Sequence, residues 1–157
     1  MNDPSHFMKK AIEFSRKKMN EDGAAPFAAV VVKNGEIVGI GVNEVVSKHD
    51  VTSHGEVEAI RDAGRKLQTW DLSGCELYTT CEPCELCVAA MHWARIEKMY
   101  YANTLDDCAP MGLDLDGLRQ TVRCDVHDRD LPAEQLLHDE AKAVLDEWIQ
   151  SDQFQSF

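Results

Sequence analysis

A chain of 157 residues is long enough to bury roughly 70% of its unfolded surface without disulfides or a structural metal, so one domain over 1–157 with a real core is expected. With 16 Lys+Arg against 28 Asp+Glu the formal charge is -12, which disfavours polynucleotides and anionic membranes and suits a small uncharged partner. No apolar run reaches the length of a membrane span, and Met1-Asn2-Asp3-Pro4 leads into an amphipathic helix instead of a signal-peptide core, so a cytoplasmic protein with no membrane partner is expected.

From Ser5 to Met19, apolar Phe7, Met8, Ala11, Ile12 and Met19 alternate with charged residues at helical spacing. Asn20-Glu21-Asp22-Gly23 ends that helix. Pro26 to Val32 reads as an interior strand, and Asn34-Gly35 before Ile37 to Val42 makes a tight hairpin. Asn43 to Thr52 is polar and loop-like. Ser53 stands three before Glu56, the spacing of a capping box, and Val57, Ile60, Ala63, Gly64 and Leu67 form the inner stripe of the helix it would open. Leu77 to Thr80 is a third strand. A helix opened by Pro83 follows, then a fourth strand over Lys98 to Ala102. Asn103 to Gly117 reads as a loop or lid, Thr121 to Val126 as a fifth strand, and Pro132 as the start of a last helix with Leu136, Leu137, Ala141, Val144, Leu145 and Trp148 inward. The order predicts an α/β fold in three layers, α/β/α, with a mixed five-stranded sheet and helices on both faces.

The chemistry concentrates in Cys81-Glu82-Pro83-Cys84-Glu85-Leu86-Cys87 and in Thr52-Ser53-His54-Gly55-Glu56. Cys84 and Cys87, three apart on one helix, share a face, and a helix N-terminus favours their thiolates. His54 is the natural third ligand. One neutral His and two thiolates suit Zn2+, whose fourth position is left for water or hydroxide at a pKa of about 7. Glu56 is placed to act as base and then acid, moving a proton from that water to a ring nitrogen and then to a departing amine. The competing reading is a closed Cys3His cage with Cys81 as fourth ligand. Cys75, Cys108 and Cys124 are expected to be buried small hydrophobes.

The pattern H-x-E…P-C-x-x-C is the signature of zinc deaminases that act on nucleobases. Asn43…His54-Gly55-Glu56…Cys81 to Cys87, with Pro26-Phe27, the Asp50 to His54 approach, Trp93-Ala94-Arg95 and Tyr100-Tyr101-Ala102, resembles the cytidine deaminase superfamily, its bacterial guanine deaminase branch most of all. The resemblance covers about half of the chain. It implies a cytidine deaminase-like fold and one zinc per subunit. It also implies that Asn43 bonds the ring of the base, Phe27 stacks on it, Trp93 walls the pocket and Asp114, in Gly112-Leu113-Asp114, reads a purine edge. Gly55 stands where most relatives carry alanine and gives substrate and backbone more room. A homodimer is implied, with the C-terminal segment from about 150 to 157 exchanged between subunits; Trp148-Ile149, Phe154 and Phe157 suit such docking.

The expected activity is hydrolytic deamination of a free aminated nucleobase, foremost guanine to xanthine plus ammonia. Cytosine, another pyrimidine or triazine base, and a purine nucleoside remain as alternatives. Deamination of tRNA adenosine shares the motif but needs a cationic surface that a chain at -12 offers poorly. The reading from another class is a non-catalytic zinc module.

Overall fold

The computed structural model describes residues 3–156, so Met1, Asn2 and Phe157 of the tail lie outside the described residues. Helix α1 (Pro4–Asp22) begins behind Asp3, whose carboxylate accepts the Ser5 N–H at 3.0 Å, and stops where Gly23 takes a φ of 66°. An acceptor at the N-cap, proline in the first turn and a left-handed glycine beyond the last are the chemistry that bounds a helix. Strands β1 (Ala28–Lys33) and β2 (Glu36–Val42) form an antiparallel hairpin across Asn34 and Gly35, both at positive φ as its tight turn requires.

After the short helix α2 (Val45–Lys48) come α3 (Gly55–Leu67), β3 (Cys75–Cys81), α4 (Glu85–Trp93) and β4 (Lys98–Asn103). The sheet order is β2-β1-β3-β4, with β3 antiparallel to β1 and parallel to β4. Alternation along the strands divides the core. Phe7 and Ala11 of α1 meet Val30, Val32 and Tyr78 on one face. On the other, Ala59 and Ala63 of α3 and Met91 of α4 meet Ala29, Val31 and Leu77. Helices therefore cover both faces, as the sequence predicts.

Two glycines set how closely α3 lies on the sheet. A Cβ at Gly39 would come within 2.4 Å of the Ala59 carbonyl oxygen, and one at Gly41 within 2.1 Å of the Gly55 carbonyl oxygen and 2.2 Å of the Ala59 nitrogen. Only a residue without a side chain lets helix and strand backbones approach so far.

The sheet has four strands, not five. Thr121 to Val126, expected as a strand, has its first three residues in helix α5 (Leu115–Arg123) and pairs with no strand. Leu115, Leu118 and Val122 recur at helical spacing there, with Asp116 near the start and Arg123 at the end to complement the helix dipole, and this outweighs one β-branched pair. The Asn103 to Gly117 segment is not a bare loop, since a 3-10 helix spans Asp106–Met111. The last helix α6 (His138–Gln150) starts six residues after Pro132, since Pro132 to Leu137 is irregular and Leu137, at a left-handed φ of 52°, is the cap. The backbone divides into two compact units, one ending at Leu115 and one beginning at Asp116. In the second, Trp148 packs edge-on against Phe154 at 5.0 Å, and Val144, Leu145 and Ile149 are exposed. Among the described residues no helix is long and apolar enough to cross a membrane.

Candidate active site

Two helix N-termini meet on the α3/α4 face of the sheet. His54 is the N-cap of α3 and Cys84 the N-cap of α4, both in extended conformation, and Cys87 lies one turn into α4. Pro83 therefore precedes the cap instead of opening the helix, and His54, not Ser53, occupies the cap of α3. Ser53 is withdrawn from that role because its hydroxyl donates to Asp50 at 3.1 Å in a fully buried position. Ends of helices with free N–H groups carry partial positive charge, which suits thiolates.

His54 Nδ1 stands 3.6 Å from Cys84 Sγ and 3.5 Å from Cys87 Sγ, and the two sulfurs are 3.9 Å apart. Tetrahedral zinc with ordinary bond lengths needs edges of about 3.5 to 3.6 Å between nitrogen and sulfur and about 3.8 Å between sulfurs. The three donors already form one face of that tetrahedron. Among the described residues they are the group able to hold a metal ion. Cys81 takes no part, since its sulfur lies 3.3 Å from Cys108 Sγ and 3.7 Å from the Thr104 carbonyl oxygen. Burial and the Cys108 contact push its thiol up to about 12, the behaviour of a neutral core thiol. Cys75 and Cys108 are buried as expected, whereas Cys124 is half-exposed.

Without metal the donor set holds its protons unequally. Hydrogen bonding with Cys87 pulls the Cys84 thiol down to about 4 against its burial, and His54 adds to the drop. Cys87 is pushed up by Cys84 and by burial, and His54 is raised by its bond to Cys84.

Glu56, 6% exposed, faces the ligands from the first turn of α3. Its Oε2 lies 3.4 Å from Cys87 Sγ, and its Oε1 accepts the Thr79 hydroxyl at 3.0 Å. Burial raises its pKa, and these hydrogen bonds only partly offset that. Asn43, Phe27 and Gly55 adjoin one another: Asn43 N–H donates to the Phe27 carbonyl oxygen at 2.8 Å, and a Cβ at Gly55 would come within 2.9 Å of the same oxygen. The Asn43 amide oxygen accepts the Val45 N–H at 3.4 Å. Trp93 ends α4, 60% exposed and about 9 Å along the helix from Cys87. Asp114 is exposed just before α5.

A residue that sequence reasoning missed is Glu58, 5% exposed, whose carboxylate takes Lys48 Nζ at 2.7 Å and Arg61 Nη1. Arg61 also donates to Thr52 at 2.9 Å, and Asp50 accepts the Thr52 N–H at 2.8 Å. The cluster ties the approach to His54 onto α3. A glutamate beside Val57, in the stripe that faces the core, is the signal that could have found it.

Residues 1–103 match the family described as cytidine and deoxycytidylate deaminase zinc-binding region. The chain belongs to this family. The match contains His54, Glu56, Cys84, Cys87, Asn43, Phe27 and Trp93 and stops before Asp114. Guanine deaminase of Bacillus subtilis (strain 168) is 35% identical over 142 residues, 90% of this chain and 91% of its own. The X-ray structure of a Bacillus subtilis guanine deaminase aligns with a TM-score of 0.92 at 33% identity, covering 100% of this chain and 99% of that one. The tRNA-specific adenosine deaminase of Aquifex aeolicus (strain VF5) is 42% identical over 97 residues, 62% of this chain and 64% of its own. His54, Cys84 and Cys87 are the zinc site, and the protein is a zinc-dependent deaminase.

Proposed function

We propose that this protein deaminates a free aminated purine base, guanine to xanthine plus ammonia. The observation that carries the reading is the reach of the likeness to guanine deaminase, which runs nearly the full length of both chains, while the likeness to the tRNA deaminase of Aquifex aeolicus covers less than two thirds of either. A net charge of -12 supports the same choice.

Zinc held by His54, Cys84 and Cys87 would supply a water activated at neutral pH. Glu56 takes one proton of that water and delivers it to the ring nitrogen next to the amine-bearing carbon as the oxygen adds to that carbon, then takes the remaining proton of the added hydroxyl and gives it to the departing amine as the C–N bond breaks. Asn43 orients the base through its amide and Phe27 stacks on the ring, roles supported by the bond from Asn43 N–H to the Phe27 carbonyl and by the closeness of the Phe27 backbone to Gly55, between His54 and Glu56. Gly55 keeps the helix start clear of side-chain bulk. Trp93 walls the pocket and Asp114 reads the purine edge, each supported by its place in the motif. Two copies pair and exchange the segment from about 150 to 157; exposed Trp148, Ile149 and Phe154 support this. Thiolate ligands and six free cysteines suit the reducing cytoplasm.

The test is ammonia release by zinc-loaded protein against guanine, cytosine, isocytosine, ammeline, adenine, guanosine and cytidine. Guanine turned over at least tenfold faster than every other member supports the proposal. A different preferred base would remove guanine and leave the metal chemistry.

A further inference from the structure

Thr79 sits in β3, paired with Ala29 of β1 on one side and Tyr101 of β4 on the other, so its backbone is fixed from both directions. It is 1% exposed. Alternation along β3 puts Leu77 and Thr79 on the face covered by α3 and α4, and the Thr79 hydroxyl donates to Glu56 Oε1 at 3.0 Å. The other oxygen, Oε2, faces the ligand side, 3.4 Å from Cys87 Sγ. The two oxygens of one carboxyl group therefore have different neighbours.

We propose that Thr79 is a positioning residue that divides the Glu56 carboxyl group, holding Oε1 against the sheet so that Oε2 alone handles the proton. This rests on the reading that Glu56 moves protons during deamination. The assignment follows from hydrogen-bond capacity. A hydroxyl can donate to Oε1 when Glu56 is a carboxylate, and equally when Oε2 carries the proton and Oε1 is the carbonyl oxygen. The Thr79 bond thus persists unchanged while the proton cycles on Oε2, whereas a proton on Oε1 would reverse the bond and point at the Thr79 oxygen, away from the ligand side. Without that donor the carboxyl group is free to rotate about its terminal torsion, which has a broad two-fold profile, and its oxygens exchange places. Threonine suits the task because branching at Cβ stiffens χ1, so the hydroxyl is aimed by the strand itself.

The experiment compares Thr79→Val, which keeps the volume and removes the hydroxyl, with Thr79→Ser, which keeps the hydroxyl. Both are assayed on the free base turned over fastest by wild type, beside Glu56→Gln. Thr79→Val should lose about 10- to 100-fold in kcat with KM and bound zinc little changed, as expected when a reacting group is misplaced by less than an ångström or so. Thr79→Ser should recover most of it. In the Glu56→Gln background Thr79→Val should add nothing further. A second readout needs no turnover: the infrared carboxyl band isolated by subtracting the Glu56→Gln spectrum should shift in Thr79→Val and return in Thr79→Ser. Wild-type kcat in Thr79→Val with an unshifted band would overturn the inference. So would a loss of zinc and thermal stability that Thr79→Ser fails to restore, with Thr79→Ala as the check should the valine variant not fold. If Glu56→Gln itself keeps turnover, the underlying reading fails; if it is dead while Thr79→Val is fully active, only the role of Thr79 does.

Discussion

At the scale of single residues, the proposed mechanism divides the chemistry between ligands and proton carrier, and substitutions should divide likewise. His54→Ala or Cys84→Ala removes a corner of the donor triangle and should lose zinc and activity together, read by metal analysis. Glu56→Gln leaves all three donors in place, so it should hold one zinc per chain while kcat falls by about 10²- to 10⁴-fold, the usual worth of a general acid and base. Zinc uptake should also be coupled to protons. Within the pair the Cys84 thiol is lowered and the Cys87 thiol raised by their mutual contact, so the two share about one proton near pH 7, and His54 is raised as well. Loading near pH 7 should therefore release between about one and two protons, and affinity should rise about tenfold or more per pH unit. Calorimetry in buffers of different ionisation enthalpy measures that count; no proton release would contradict the assigned protonation states.

At the scale of elements, the site exists because α3 lies unusually close to β2. Gly41→Ala would drive a Cβ into the Gly55 and Ala59 backbone, and no side-chain rotation relieves a clash with main chain. A loss of about 2 to 3 kcal/mol or more is expected, with weakened zinc binding, because Gly55 follows the ligand His54. A melting temperature unchanged from wild type would argue that the helix can lift without cost. Glu58 sets the other side of the same helix start. Burial raises its pKa, but the bonds from Lys48 and Arg61 outweigh that and leave it below the ordinary glutamate range. A depressed folded pKa means its contribution is present above the unfolded value of about 4.3 and is lost as pH falls through the folded one. Its partners are 44% and 40% exposed, so Glu58→Gln should cost only about 1 to 2 kcal/mol at pH 7. The difference from wild type should vanish in acid, as chemical denaturation at pH 7 and pH 3 can show.

These elements also mark what was legible in the sequence. The hairpin at Asn34-Gly35, the third and fourth strands and the helix carrying Cys87 announce themselves through turn chemistry and periodicity. The metal ligands are legible because coordination fixes residue type and spacing together. Thr121 to Val126 misleads because a β-branched pair is a weak local signal, whereas the stripe of Leu115, Leu118 and Val122 belongs to a longer helical repeat. The roles of Glu58 and Thr79 stay hidden because they depend on which side of a strand or helix meets a partner distant in the chain.

For the whole molecule, charge and the reach of the likeness to guanine deaminase favour a free base over tRNA. A chain at -12 repels polyanions, so binding to a tRNA anticodon arm should be absent at about 0.15 M salt and gain little from moderate dilution, by filter binding. Retention of tRNA there would favour the polynucleotide branch of the family. With the fold and the zinc site in place, the proposed activity turns on whether Glu56 carries the proton for deamination of a free purine base. The most direct measurement is single-turnover xanthine and ammonia formation from guanine by wild type and Glu56→Gln at matched zinc content. Wild type should convert guanine rapidly, and the variant should be slower by about three orders of magnitude. Equal rates in the two proteins, each holding one zinc, would contradict it.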